Sequence, residues 1–98
     1  MMTAPTLIFR PHTLDRELAM LGRVIAGEII PAGPRAAWVI RLAGAPFKSG
    51  GSASFESARR KVEHEVREWF LAAGLDDVAS RMVVRVLTEQ ERSTQLRA

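Results

Sequence analysis

The chain has 98 residues, of which 47% are hydrophobic, and it carries a formal net charge of +3. This length corresponds to one domain with a single modest core, and the hydrophobic content argues against general disorder. The sequence has no cysteine, which excludes disulfides, thiolate metal sites and cysteine nucleophiles. It shows neither a signal-peptide pattern nor an apolar run of membrane-spanning length. We therefore expect a cytoplasmic protein that makes no membrane contact.

The first half of the sequence predicts a strand, a short helix and a hairpin. Residues 6–10 are β-branched and aromatic and stop at Pro11, which is typical of a strand. Residues 13–21 predict a helix, because Thr13 can cap it and its leucines share one face. Residues 23–30 and 37–43 have strand character and are separated by a proline–glycine break, which indicates an antiparallel hairpin.

Residues 44–54 are rich in glycine and serine and predict a loop, which leads into the longest helix, residues 54–73. Ser52 or Ser54 can cap this helix, and Gly74 can end it with a left-handed backbone. Opposite charges at i,i+4 predict a self-paired polar face: Glu56–Arg60, Arg59–Glu63, Lys61–Glu65 and Glu63–Arg67. An apolar stripe about 120° wide predicts the core contact: Phe55, Ala58, Val62, Val66, Trp69, Phe70 and Ala73. We expect Trp38 and Trp69 to be largely buried.

Two alternatives remain for the segment that ends the domain. Residues 82–87 alternate around Arg85, which predicts a strand. The rival is a helix capped by Asp76 or Asp77, whose apolar stripe is Val78, Met82 and Val86. The polar residues 89–98 are interpreted as a tail beyond a single domain of residues 1–88.

The predicted order is β-α-β-β-α-β, which is the ferredoxin-like pattern. It defines a small two-layer α+β sandwich, in which an antiparallel sheet of three or four strands is covered on one face by the long helix of residues 54–73. If the first helix or the last strand is absent, a hairpin or meander under one helix remains.

The sequence offers no catalytic constellation. His64-Glu65-Val66-Arg67-Glu68 begins like the zinc-protease helix, but Glu68 stands where that motif needs its second histidine. His12 lies in a predicted turn, and no spacing joins either histidine to a nucleophile. The sequence therefore predicts a protein that is not an enzyme and has no metal or cofactor.

Strand alternation predicts a candidate interaction face on the side of the sheet away from the helices. This face carries Arg10, Val39, Arg41, Val83 and Arg85. Arginine among aliphatic neighbours is typical of protein interfaces. The first hypothesis is an interaction module that binds a protein partner, most simply a second copy of itself, through this face or a sheet edge.

The alternative hypothesis is a nucleic-acid-binding accessory domain. Glycines and a lysine before a helix are the ingredients of an anion site, although the phosphate-loop spacing is absent. A flexible connector is the competing interpretation of the same stretch. The candidate phosphate contacts are Lys48, Ser49, Gly50 and Gly51 with Arg59, Arg60 and Lys61, or else Arg10, Arg41 and Arg85 on the sheet.

Overall fold

The computed structural model describes residues 4–44 and 48–87. Within them the strands and helices are β1 (Thr6–Pro11), β2 (Glu17–Leu21), β3 (Val24–Ala32), β4 (Arg35–Ile40), β5 (Lys48–Ser52), α1 (Phe55–Ala72), α2 (Asp76–Arg81) and β6 (Val83–Val86). The six strands form one sheet in the order β5-β4-β3-β2-β1-β6. All neighbours are antiparallel except β1 and β6, which run parallel. The predicted tail, residues 89–98, lies outside the described residues.

The α+β class is confirmed, but the sheet is larger than the three or four strands predicted, and the ferredoxin-like order is not confirmed. Strands β1 to β5 form a continuous meander before the first long helix begins. In the described part of the chain, only β6 follows the helices, and it pairs beside β1. The result is one mixed sheet with α1 on one of its faces.

The predicted helix over residues 13–21 is wrong. A short 3₁₀ turn covers Thr13–Asp15, and β2 follows it. Leu14 and Asp15 both have a φ of 59°, and Leu14 is 80% exposed, so it contributes nothing to an apolar stripe. Strand β2 pairs with β1 on one side and β3 on the other. These two ladders outweigh the weak local helix preference of a nine-residue segment.

The other predicted strands and the long helix are present with shifted ends. The hairpin forms from β3 and β4, which pair from Gly27–Ile40 to Ala32–Arg35 around a turn at Gly33. Helix α1 starts at the predicted cap, where the Ser54 Oγ accepts a hydrogen bond from the Ser57 N–H at 3.1 Å. The strand alternative for residues 82–87 is correct for Val83–Val86, which form β6. The rival helix over these residues is wrong, because α2 ends at Arg81, and its N-cap is Leu75 and neither aspartate.

The core lies between α1 and one sheet face. The helix contributes four buried residues at i,i+4 steps: Ala58, Val62, Val66 and Phe70. The sheet side of this cluster is Leu7, Phe9, Ala19, Ala26, Ile29, Ala36 and Ile40. Trp38 and Trp69 pack against the core while remaining partly accessible. The buried stripe of α1 therefore runs through Phe70, with Trp69 at its flank.

Gly27 lies where β3 approaches both β4 and α1 closely. A Cβ there would lie 2.8 Å from the Val39 backbone oxygen and 3.3 Å from Val62 Cγ1. Because a backbone atom cannot yield without disturbing the β3–β4 ladder, we expect Gly27→Ala to lower the free energy of unfolding by about 1–3 kcal/mol. Urea denaturation followed by circular dichroism measures this.

The matched control is Gly51→Ala in the edge strand β5. Its added Cβ would meet only the Ala36 oxygen, at 3.9 Å. This variant should stay within about 0.5 kcal/mol of the parent. Equal costs for the two variants would contradict the close β3–β4 approach.

Candidate interaction surface

The sheet face opposite α1, here called the open face, is organised by strand pairing. Register places Arg10, Leu18, Glu28, Val39 and Ser49 in one row across β1 to β5. A second row crosses β6, β1, β2 and β3 as Arg85, Ile8, Met20 and Ile25. Helix α1 packs on the other face, and α2 packs against α1. Within residues 4–44 and 48–87, no helix covers the open face.

All five residues of the candidate interaction face lie on the open face, but they do not form one cluster. Arg10 and Arg85 stand on the neighbouring strands β1 and β6, and Val83 lies two residues before Arg85. Val39 lies on β4 and Arg41 directly follows the last residue of that strand, four strand positions from β6 in the sheet order. At about 4.8 Å per strand, that separation is about 19 Å. The predicted residues therefore form two separate groups on one surface.

A buried carboxylate at the centre of the open face was missed by the sequence analysis. Glu28 is 7% exposed and accepts hydrogen bonds from Arg16 Nη1 at 2.9 Å and Arg41 Nη2 at 3.3 Å. The two arginines therefore leave this cluster with a charge of +1. The available signal was a single glutamate in an otherwise apolar strand. Arg16 was missed because its segment was assigned to a helix.

Aliphatic side chains fill much of the space between the charged groups. Leu18 is buried beside Glu28, while Ile25 is 42% exposed and Val83 is 53% exposed. Ile8, Met20, Ile30 and Val39 are half-buried on the same face. A sheet surface of this kind is more apolar than one that only contacts water, and such patches commonly mark binding surfaces.

Charge is unevenly distributed between the two sides of the molecule. Among the described residues, the open face carries five arginines and one carboxylate, a formal charge of +4: Arg10, Arg16, Arg35, Arg41 and Arg85 against Glu28. Residues 55–81, which form both helices, hold five basic and six acidic residues, a formal charge of −1. The positive field of the described chain is therefore concentrated on the open face.

The predicted loop over residues 44–54 is wrong for residues 48–52, which form β5. The candidate anion residues Lys48, Ser49, Gly50 and Gly51 thus belong to a strand paired with β4. Their backbone N–H groups alternate along that ladder and do not converge on one point. Gly50 is explained by packing, since a Cβ there would lie 2.9 Å from Trp38 Cζ2. This geometry gives no support to an anion cradle.

Three of the four candidate cations near the start of α1 are bound to carboxylates. Lys48 Nζ lies 2.8 Å from Glu65 Oε2, and Arg60 pairs with Glu56 at 2.7 Å. Arg59 donates from Nε and Nη2 to the two oxygens of Glu17, at 2.6 and 2.7 Å. These hydrogen bonds raise the pKa of the Arg59 guanidinium above its usual value.

The predicted pairs Glu56–Arg60 and Glu63–Arg67 are confirmed, the second at 3.2 Å. Arg59 and Glu65 instead take partners from the sheet, and Lys61 is exposed. The triplet Arg59-Arg60-Lys61 is therefore divided among different environments and does not act as one cationic cluster.

His12 and His64 are both exposed and lie on separate elements. In the described part of the chain, no three histidine or acidic side chains are grouped to hold a metal ion. Neither helix within residues 4–44 and 48–87 has the length and apolarity needed to cross a membrane. No protein-family model, curated protein or solved structure matches this chain.

Proposed function

We propose that this protein is a non-enzymatic interaction module that forms a homodimer by packing its open face against the same face of a second copy. The observation that supports this is the run of partly exposed aliphatic side chains on a sheet face that no helix of residues 4–44 and 48–87 covers. Arginine and methionine are enriched in protein interfaces, whereas lysine is depleted. The open face holds Met20 and five arginines: three lie in the paired strands, and Arg16 and Arg41 reach this face at Glu28. None of the paired residues on this face is a lysine.

The size of the open face bounds the expected affinity. Six strands with about 4.8 Å between neighbours span about 24 Å, and a six-residue strand is about 20 Å long. Contact over this area buries about 500 Å² per partner, or about 1,000 Å² in total, which is near the lower limit of specific interfaces. We therefore expect a weak dimer that is mostly dissociated when the protein concentration is micromolar.

The charge on the open face determines how the stability of this dimer depends on salt concentration. Each open face has a formal charge of +4, so two such faces repel one another. Added salt screens that repulsion over about 10 Å at 0.1 M and leaves the aliphatic contact in place. Dimerisation should therefore strengthen as the salt concentration rises.

The variant Ile25→Lys tests the open face directly. Ile25 is 42% exposed, so the monomer should keep its fold, while the dimer would lose an aliphatic contact and gain a repelling charge. We expect the dissociation constant in sedimentation equilibrium to rise about tenfold or more. His64→Lys makes the same change in net charge on the exposed surface of α1 and should leave dimerisation unchanged. Unaltered dimerisation of Ile25→Lys, or a parent protein that stays monomeric, would rule out this contact.

The second candidate is the nucleic-acid-binding accessory domain, favoured by the concentration of arginines on the open face. Neutralised phosphates release counterions, so this binding weakens steeply with salt, opposite to the dimer. Fluorescence anisotropy with labelled duplex and single-stranded DNA and RNA, across the same salt series, separates the two functions. An unchanged anisotropy at low salt would remove the nucleic-acid candidate.

A further inference from the structure

A cavity of about 550 Å³ opens beside the C-terminal half of α1, on the helix side of the sheet. Its apolar lining includes Ile40, Leu42 and Trp69. Ile40 and Leu42 belong to the buried core, and the Trp69 Nε1–H donates to the Ala43 oxygen at 3.3 Å. The walls are thus held by packing and a hydrogen bond. The volume lies within the range of about 300–1,000 Å³ that small-molecule sites occupy.

The polar groups of the cavity favour a cation. Lys48 and Glu65 neutralise each other through their ion pair at 2.8 Å. Glu68 also lines the cavity, and no cationic side chain among the described residues pairs with it. The last turn of α1 contains no basic residue, so no cationic side chain there offsets the partial negative charge of the helix C-terminus.

We propose that this cavity binds a small amphiphilic amine. The apolar body of the ligand lies against Ile40, Leu42 and Trp69, and its ammonium group lies beside Glu68 at the rim. A carboxylate ligand is repelled by Glu68 and by the helix C-terminus, and an alcohol has no charge to pair with either. The cavity and the open face lie on opposite sides of the sheet, so this site does not depend on the proposed dimer.

The test compares three probes that share a phenyl body: phenethylamine, 2-phenylethanol and 3-phenylpropionate. The protein has two tryptophans, so a ¹⁵N correlation spectrum shows two indole N–H signals, which Trp69→Phe assigns. Titration with the amine should shift the Trp69 signal and leave the Trp38 signal in place. We expect the amine to bind about fivefold more tightly than the alcohol, and the carboxylate to bind most weakly.

Two variants and a control test whether Glu68 and the cavity lining cause the preference for the amine. Glu68→Gln should bring the amine to the affinity of the alcohol without changing alcohol binding. Ala72→Leu, which places a larger side chain in the cavity lining, should weaken all three probes. Glu56→Gln makes the same chemical change as Glu68→Gln about 18 Å away along α1 and should preserve the amine preference. Absence of a Trp69 shift with every probe, or equal amine and alcohol affinities in the parent, would overturn the proposal.

Discussion

Arg59→Met is expected to lower the free energy of unfolding by about 3–5 kcal/mol, while Arg60→Met costs about 1 kcal/mol or less. Arg59 provides both hydrogen bonds to a glutamate that is 6% exposed on the helix side of the sheet, and its removal leaves the Glu17 carboxylate buried without a partner. Arg60 pairs with the exposed Glu56, which water can solvate equally well. Urea denaturation of the two adjacent variants gives the comparison.

A double-mutant cycle separates the value of this ion pair from the cost of breaking it. Replacing both charges with apolar side chains, as in Glu17→Leu with Arg59→Met, removes the unpaired carboxylate and should recover most of the lost stability. The double variant should therefore be more stable than Arg59→Met alone. If Arg59→Met costs no more than Arg60→Met, the Glu17–Arg59 pair does not join β2 to α1 in the way described.

Elements whose signals are local could be predicted from the sequence. Helix α1 carries its cap at Ser54, its i,i+4 charge pairs and its stop at Gly74 within one continuous segment. The β3–β4 hairpin likewise combines two strand-like runs with an adjacent turn. Strand β2 could not be predicted in the same way, because the leucine spacing of residues 13–21 also fits a helix. What decides its conformation is pairing on both sides with β1 and β3.

For the candidate surface, too, only the features that depend on neighbouring residues could be predicted from the sequence. Alternation along each strand was enough to place Arg10, Val39 and Arg85 on one sheet face. It gave no distance between strands that are far apart in the sheet order, and so no indication that the predicted residues fall into two separate groups on this face. The ion cluster around Glu28 was missed because its partners stand 12 and 13 positions away along the chain.

The partners of charged residues on α1 could likewise be predicted only where they are close in the sequence. Two of the four i,i+4 pairs are present, whereas Arg59 binds a carboxylate 42 positions away in β2. The glycines of β5 are a related case. Their composition is typical of a loop, but Gly50 accommodates the Trp38 ring from the neighbouring strand. In each case a contact between elements, absent from the local sequence, determines the role of the residue.

Alanine substitutions at three neighbouring residues of α1 test which side of the helix faces the core. Phe70 is 7% exposed and contacts Trp69 edge-to-face with ring centroids 5.3 Å apart, so Phe70→Ala should cost about 3–5 kcal/mol of unfolding free energy. Trp69→Ala should cost less, because its partly accessible indole lies at the flank of the core. Leu71 is 43% exposed, and Leu71→Ala should cost about 0.5 kcal/mol.

Chemical denaturation of the three variants measures this order, and circular dichroism of each confirms that the helix is retained before denaturant is added. The expected order depends on the i,i+4 series that ends at Phe70, since a rotation of about 100° would move the next residue into its place. If Leu71→Ala is the most costly of the three, the buried stripe of α1 has been assigned to the wrong side. Glu63, which precedes Leu71 by two helical steps of four residues, would then face the sheet, and its ion pair with Arg67 would be buried beneath the helix.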